Sequence, residues 1–336
     1  MNAPASVPTT TTLERGYDGL PLPFGWFAVG LSDDFQPGDI KTLNYFGTEF
    51  VMWRGEDFQL RAVDPFCPHL GAHLGINSTV EGNDLRCPFH HWTFNGEGQV
   101  TGIPYTKVIP PKLKKGCVKK WQVRESDNVA YVWYHPRGIA PLWELAKMPP
   151  CPVGSDWVLA ETHDWVVNIH IQEITENGQD HAHFAAVHGV PGAPSAEFKL
   201  DGWCRRNTVT AEMNTPRGPM IGKIDNMATG PGQTFTEFTD VTNVLLAQEL
   251  TAIDSGRTHQ RWQLYHPAGI SEGKMRVTKA RMRDLVKQVT QDMPIWANKK
   301  NLTQPFLVEG DGPLMAYRAQ YAKFYDQGED PSEQAA

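Results

Sequence analysis

The 336-residue sequence lacks the features that define several large classes of protein. Its five cysteines are an odd number without disulfide-framework spacing, which favours a reducing, cytoplasmic location. No apolar run is long enough to span a bilayer and the mean hydropathy is −0.43, so we expect no integral membrane segment. A net charge of −7 gives no global basic field, and we expect no nucleic acid partner.

Two further features are missing. The sequence has no glycine-rich nucleotide-binding fingerprint in a suitable context, so the chain is not expected to act as its own nicotinamide-dependent reductase. Residues 1–16 lack the basic start and apolar core of a secretory signal, and we predict a disordered lead-in there. The remaining composition, 40% hydrophobic and 21% charged, is that of a globular protein long enough for two domains.

The pattern of short apolar runs changes along the chain. Residues 20–140 contain brief β-rich runs bounded by Gly, Asp, Asn and Pro, which predict a small all-β domain. A proline-rich stretch at 136–152 marks the boundary to a second domain, residues 150–328. The second domain combines strand-like runs with helical segments, predicted at 169–188, 279–300 and 312–325. This order predicts an α+β fold, with helices segregated to one side of an antiparallel sheet.

Two short loops in the first domain pair cysteine with histidine. The stretches CPHLGAHLG and CPFHHWTF contain Cys67-x-His69 and Cys87-x-x-His90. Two cysteines and two histidines suit a structural zinc ion in a tetrahedral site. They equally suit a Rieske [2Fe–2S] cluster, in which the thiolates bind one iron and the imidazoles bind the other. The residue types alone leave both interpretations open.

A second group of metal-ligand residue types lies in ENGQDHAHFAAVHG, residues 176–189. Asp180 and His183 are three apart, which places them on one face of a helix. His188 follows five residues later, so the helix must distort or end at the glycine and proline beyond it. Two histidines and a carboxylate on one face of an octahedral Fe(II) leave positions open for O₂. The alternative is a pair of solvated helix histidines.

Together these patterns resemble the Rieske non-haem iron oxygenases. The two loops match the family's C-x-H-x-G and C-P-x-H motifs, and the second loop's spacing selects His90 rather than His91, while His73 falls outside the first motif. The resemblance implies that a [2Fe–2S] cluster is held by Cys67, His69, Cys87 and His90.

The family's N-x-x-D-x-x-H-x-x-x-x-H signature is matched by Asn177, Asp180, His183 and His188, whereas His181 falls on no signature position. The resemblance implies that His183 and His188 bind a mononuclear iron together with a carboxylate far downstream. QDMPIWANKK, residues 291–300, resembles the segment that carries this carboxylate, so we predict Asp292 as the third ligand. Its rivals are Asp284, Glu309 and Asp311.

The resemblance spans about residues 20–325 and implies a Rieske domain (20–140) followed by a helix-grip catalytic domain (150–328). It implies a terminal oxygenase, a monooxygenase or dioxygenase, that uses O₂. Its electrons come from NAD(P)H through a separate ferredoxin or flavin reductase. It also implies a head-to-tail homotrimer in which Asp180 faces a cluster histidine of the neighbouring subunit.

Within that family, two segments resemble the oxygenase component of 3-ketosteroid 9α-hydroxylase, QDMPIW and EGDGPLMAYRAQYAKFY. CPHLGAHLG is also similar to the sterol-desaturase members. We therefore predict hydroxylation of an apolar polycyclic substrate, a steroid, with an aromatic oxygenase or a sterol desaturase or demethylase as alternatives. A Rieske-type electron-transfer protein without its own catalysis is the alternative of another class. Candidates to line a steroid cavity, each of which equally suits a core position, are Met220, Met227, Phe235, Phe238, Val244 and Leu246.

Overall fold

The structure is a computed structural model that describes residues 15–180, 182–189, 198–215 and 218–328. Within these residues the chain folds as two compact units. The front unit is Trp26–Leu145, and the back unit combines residues 15–25 with residues from Ala146 onward. Nearly all of the predicted lead-in lies outside the described residues, as do His181 and the proline after α2.

The front unit contains three small sheets built from short β-branched and aromatic runs, as the sequence predicts. Their orders are β1-β11-β10, β2-β3-β4-β9 and β5-β6-β7-β8. A core under the last two sheets includes Trp53, Leu74, Leu85 and Phe94, all fully buried. The strands are β1 (Gly25–Leu31), β2 (Ile40–Tyr45), β3 (Thr48–Arg54), β4 (Leu60–Val63), β5 (Thr79–Glu81), β6 (Asp84–Arg86), β7 (Thr93–Phe94), β8 (Val100–Gly102), β9 (Lys120–Trp121), β10 (Val123–Ser126) and β11 (Val129–Tyr134).

The back unit is a seven-stranded antiparallel sheet, as far as the described residues show it, with helices packed on it. The strand order is β12-β18-β17-β16-β15-β14-β13. The fold class is therefore α+β, as predicted. The elements are β12 (Trp157–Val167), α1 (Ile171–Asn177), α2 (Ala182–His188), β13 (Phe198–Asp201), β14 (Cys204–Thr215), β15 (Gly218–Thr229), β16 (Gln233–Thr239), β17 (Asn243–Asp254), β18 (Arg257–Pro267), α3 (Glu272–Trp296) and α4 (Leu314–Tyr321).

The helices differ from their predicted limits in informative ways. The segment predicted as helical at 169–188 is two helices, and Asp180 lies in the break between them rather than on a helix with His183. His170 caps α1, because its Nδ1 accepts the Gln172 backbone N–H. α3 begins at residue 272, seven residues before the predicted start, where the Ser271 side chain caps it. No helix in the described ranges is both long and apolar enough to cross a membrane.

Candidate metal centres

The two cysteine loops of the front unit are closed by backbone hydrogen bonds. The first follows β4 and the second follows β6. The Cys67 N–H donates to Ala72 O at 2.9 Å, and the Cys87 N–H donates to Trp92 O at 2.8 Å. Gly71 has a φ of 76°, a conformation that glycine adopts without strain. These turns bring both thiols into the protein, where Cys67 is 3% and Cys87 1% exposed.

The four side chains predicted to hold a cluster lie together. Burial raises the pKa of the Cys67 thiol to about 11, and the adjacent Cys87 thiol adds to the effect. The His69 and His90 ring centroids are 4.6 Å apart, and Trp92 stacks on His69 at 4.6 Å. The His69 Nδ1 is buried and has no hydrogen-bond partner among the described residues. Paired thiols beside two imidazoles, one with an unused nitrogen, fit a Rieske cluster.

The neighbouring histidines of the two loops are engaged elsewhere. His73 accepts the Gly75 N–H at 3.0 Å and lies 3.5 Å from a Glu49 carboxylate oxygen. The His91 Nδ1 lies 2.6 Å from Arg86 Nη2. Both rings therefore have partners other than a cluster.

A second group forms in the back unit. Ligand atoms of His183, His188 and Asp292 all lie within 4.8 Å of one another. We call these three residues the triad. Two come from α2 and one from α3, and the His188 Nε2 is 3.4 Å from Asp292 Oδ1. No other group of three such ligands is this close among the described residues.

Asn177, the last residue of α1, connects the members of the triad. Its Nδ2 lies 3.2 Å from His183 Nε2 and donates to Asp292 Oδ2 at 3.1 Å. Its Oδ1 accepts a hydrogen bond from Trp296 Nε1 at 3.4 Å. The amide is thus fixed by α3 while it contacts ligands from both α2 and α3.

The outer nitrogens of both triad histidines are also held. The Asp180 carboxylate accepts the His183 backbone N–H at 3.3 Å, whereas the His183 Nδ1 contacts the Asp180 carbonyl oxygen. The His188 Nδ1 lies 3.1 Å from Gln291 Oε1. Bonds to the outer nitrogen fix which ring nitrogen remains free for a metal. No motif identified Gln291, whose place next to Asp292 was the one available indication.

The Asp292 carboxyl group is buried, at 6% exposure, and burial raises its pKa above the ordinary value. The two histidines and the Asn177 amide oppose that rise. Two imidazoles and a carboxylate held in this way fit the donor set of a facial non-haem iron site. The rival carboxylates lie elsewhere: Asp284 accepts from Gln288, and Asp311 accepts the Val308 N–H.

A cavity of about 260 Å³ lies beside the triad, between the sheet and the helices. Of the predicted lining residues, Phe238 and Leu246 do line it. Met227 and Phe235 instead pack in a separate core cluster. Val244 is fully buried, and the side chain of Met220 is outside the described residues. The apolar part of the wall includes Phe184, Val209, Ile224, Phe238, Leu246, Leu285 and Val289.

Solved structures with the same fold include two oxygenases. A structure of Pseudomonas putida CBB5 NdmA with caffeine has a TM-score of 0.72, at 17% identity and 92% coverage of both chains. Dicamba monooxygenase bound to dicamba has a TM-score of 0.67, at 16% identity over 89% of this chain and 96% of that one. At such identities these likenesses show the fold alone. The Rieske [2Fe-2S] domain family matches residues 25–121. This match places the front unit in the family of Rieske [2Fe–2S] domains.

The family follows from sequence relatives. The 3-ketosteroid 9α-hydroxylase C-terminal domain matches residues 132–325. A probable 3-ketosteroid-9-α-monooxygenase oxygenase component of Rhodococcus rhodochrous is 31% identical over 91% of this chain and 80% of its own length. Cholesterol 7-desaturase of Bombyx mori is 28% identical over 91% of this chain and 70% of its own length. The chain belongs to the 3-ketosteroid 9α-hydroxylase family of Rieske oxygenases.

Proposed function

We propose that the protein is the terminal oxygenase of a multicomponent system that hydroxylates a steroid. The observation that carries the proposal is the triad at the wall of a cavity with an apolar side. The relatives named as 3-ketosteroid-9-α-monooxygenase oxygenase components support the steroid class. Because other relatives are named cholesterol 7-desaturase, desaturation of a sterol is the second candidate reaction.

In this proposal each predicted site residue has a role. Cys67, His69, Cys87 and His90 hold the [2Fe–2S] cluster, and the triad holds the mononuclear iron. When bound, the cluster relays electrons and the mononuclear iron activates O₂. The chain itself positions the ligands: the Asn177 amide holds Asp292, and Asp180 holds His183 at its backbone N–H and its Nδ1.

The proposals for the electron donor and the oligomeric state rest on the resemblance to the family. We propose that a ferredoxin or flavin reductase supplies the electrons, and that the subunits form a head-to-tail homotrimer in which Asp180 faces the neighbour's cluster. A cytoplasmic location is supported by the five cysteines, all of which are unpaired. We keep 20–140 and 150–328 as the limits of the two functional domains, although residues 15–25 fold with the back unit.

A comparison of two aspartates on α3 tests the assignment. Asp292→Ala should reduce the iron content of reconstituted protein from about three to about two per chain, because only the mononuclear ion is lost. The reduced cluster should keep its electron paramagnetic resonance signal, and steroid turnover should stop. Asp284→Ala is the matched control and should retain about three irons and full turnover.

The same measurements separate the competing functions. An electron-transfer protein would hold about two irons per chain whether or not Asp292 is present. Analysis of the product by mass spectrometry distinguishes added oxygen from a loss of two hydrogens. Turnover by the Asp292→Ala protein would show that the triad is not the catalytic site.

A further inference from the structure

The floor of the cavity carries polar groups that the iron site does not use. Gln260 and Trp262 lie two residues apart on β18, so both side chains point to the same face of the sheet. Both line the cavity, and they are 0% and 8% exposed. The Gln260 Oε1 and Nε2 and the Trp262 Nε1 have no hydrogen-bond partner in the described part of the chain.

Unpaired polar atoms at this depth are unusual. Buried donors and acceptors in folded proteins are nearly always hydrogen-bonded, because an unsatisfied one carries the full cost of its desolvation. Elsewhere on the floor, the Asn226 Nδ2 donates to Thr236 Oγ1 at 2.8 Å, whereas the Asn207 Oδ1 on β14 is also without a partner in the described residues. The three unpaired atoms of Gln260 and Trp262 are on the cavity face of β18 and are therefore available to a molecule in the cavity, whereas the unpaired Gln263 Nε2 is on the opposite face.

The chemistry of these atoms defines what they recognise. The indole N–H only donates, and the carboxamide both donates and accepts. A ketone oxygen on a ligand can accept from both side chains, and a hydroxyl can in addition donate to the Gln260 oxygen. The only cavity-lining charge outside the triad, within the described residues, is Arg205 on β14, four strands away in the sheet order. This end of the cavity therefore suits a neutral group.

We propose that Gln260 and Trp262 form a subsite for one neutral oxygen substituent of the substrate, a ring ketone or hydroxyl. The apolar wall formed by residues such as Phe238 and Leu285 then holds the ring body. Fixing one end of a rigid polycyclic molecule determines which carbon lies at the triad, so the pair sets the position of oxidation. The steroid part of this inference rests on the proposed function, whereas the subsite itself does not.

The test measures discrimination between ligands that differ by one oxygen. Dissociation constants are measured for androst-4-ene-3,17-dione and for its two analogues that each lack one ketone, androst-4-en-3-one and androst-4-en-17-one. A second pair, 2-naphthol and naphthalene, tests the same subsite without a steroid. Wild-type protein should bind the dione at least roughly ten-fold more tightly than the analogue that lacks the ketone held by the subsite. It should likewise bind 2-naphthol at least roughly ten-fold more tightly than naphthalene. In both cases, loss of the oxygen leaves the polar atoms of Gln260 and Trp262 unpaired.

Gln260→Met and Trp262→Phe should each reduce this ratio of dissociation constants to about two or less. Gln263→Met is the matched control. Gln263 is on the same strand and 1% exposed but on the opposite face, so the preference should persist in that variant. Discrimination in the naphthol pair alone would support the subsite and contradict the steroid proposal. Equal discrimination by wild type and both subsite variants, or none by wild type, would overturn the subsite.

A ligand-free readout completes the test. If the Gln260 amide is unpaired in the folded protein, its replacement by a thioether of similar shape should leave Tm unchanged or raise it. A fall in Tm of several degrees for Gln260→Met, without a matching fall for Gln263→Met, would show that the amide already has partners. That result would overturn the proposal whatever the ligands do.

Discussion

At the scale of single residues, Gln291 determines which ring nitrogen of His188 is available to bind a metal. Its side-chain oxygen accepts the His188 Nδ1–H, which leaves the lone pair on Nε2, the nitrogen that lies 3.4 Å from Asp292. Gln291→Leu should weaken Fe(II) binding roughly 10- to 100-fold, whereas Gln291→Glu, which keeps an acceptor, should restore most of it. Competition with a chelator measures the affinity.

Gln288→Leu is the control for this prediction. Gln288 lies on the same helix but bonds to Asp284 rather than to a triad histidine, so its loss should leave the iron affinity unchanged. Equal effects of the leucine variants at 288 and 291 would mean that the Gln291 contact does not orient His188.

His170 makes stability depend on pH. It is 2% exposed, and burial lowers its pKa from 6.5 to about 4. Only the neutral ring can accept the Gln172 N–H at Nδ1 and donate to Pro21 O at Nε2. Above pH 6.5 the histidine is neutral in both the folded and unfolded states. Between pH 6.5 and 4 only the unfolded chain takes up the proton, so stability falls as the pH falls.

The expected loss from this one group is about 3 kcal/mol across that range. Urea unfolding of wild type and His170→Gln at pH 7.5, 5.5 and 4.5 measures it. The variant should lose less stability than wild type as the solution is acidified. If the unfolding free energies of the two proteins fell equally with pH, groups other than His170 would be responsible for the acid sensitivity.

At the scale of elements, a buried ion pair joins α4 to α1. Arg318 donates through Nε and Nη2 to the two carboxylate oxygens of Glu176, at 2.6 and 2.7 Å, and Glu176 is 6% exposed. Arg318→Met leaves that carboxylate buried without a partner and should cost about 3–5 kcal/mol of unfolding free energy. Because Asn177 is the next residue, iron binding should also weaken.

Thermal unfolding and the double variant Glu176→Gln/Arg318→Met check this prediction. The double variant should recover most of the loss, because no charge is left unpaired. Arg257→Met removes an exposed ion pair with Asp254 and should cost at most about 1 kcal/mol. A loss for Arg318→Met no larger than that of the surface pair would contradict the argument.

Also at this scale, the elements that the sequence predicted are those marked by a motif or an apolar pattern within one short stretch of chain. The cluster loops are short and self-contained, and the helix of Asp292 has a clear apolar face. The sequence pattern did not identify β12, which forms the edge of the sheet. Its exposure alternates, but the less exposed positions 161 and 163 are Glu and His, so no apolar alternation marks the strand.

Sequence patterns predicted only those parts of the candidate site whose residues lie close together along the chain. Asp284 and Asp292 lie on one helix, and what separates them is which face is buried, so only the family resemblance selected Asp292. The subsite on β18 was not predicted at all. Which side chains reach the cavity floor depends on the register of four neighbouring strands, β15 to β18, and no local pattern contains that information.

At the scale of the whole molecule, the proposed trimer predicts that two variants, each inactive alone, restore turnover when they assemble together. A Cys87→Ser subunit keeps the triad, and an Asp292→Ala subunit keeps the cluster. If electrons cross between subunits, co-expression should restore about a quarter of wild-type turnover, because one interface in four then pairs an intact cluster with an intact triad. Steady-state turnover of the purified mixture measures this.

Each variant alone should be inactive but folded by circular dichroism, and the mixture should have a mass near three times 37.6 kDa by light scattering. A trimer without restored turnover would place electron transfer within one chain. A monomer would contradict the assembly itself.

The separation of the metal residues along the chain has a consequence for biosynthesis. All four cluster-loop residues lie between positions 67 and 90, within a contiguous front unit that ends at Leu145. The triad needs Asp292, which the ribosome adds much later. Because N-terminal domains generally fold first during translation, we expect the proposed cluster site to be complete while the rest of the chain is still being synthesised. The proposed mononuclear iron site is completed only after α3 has been synthesised.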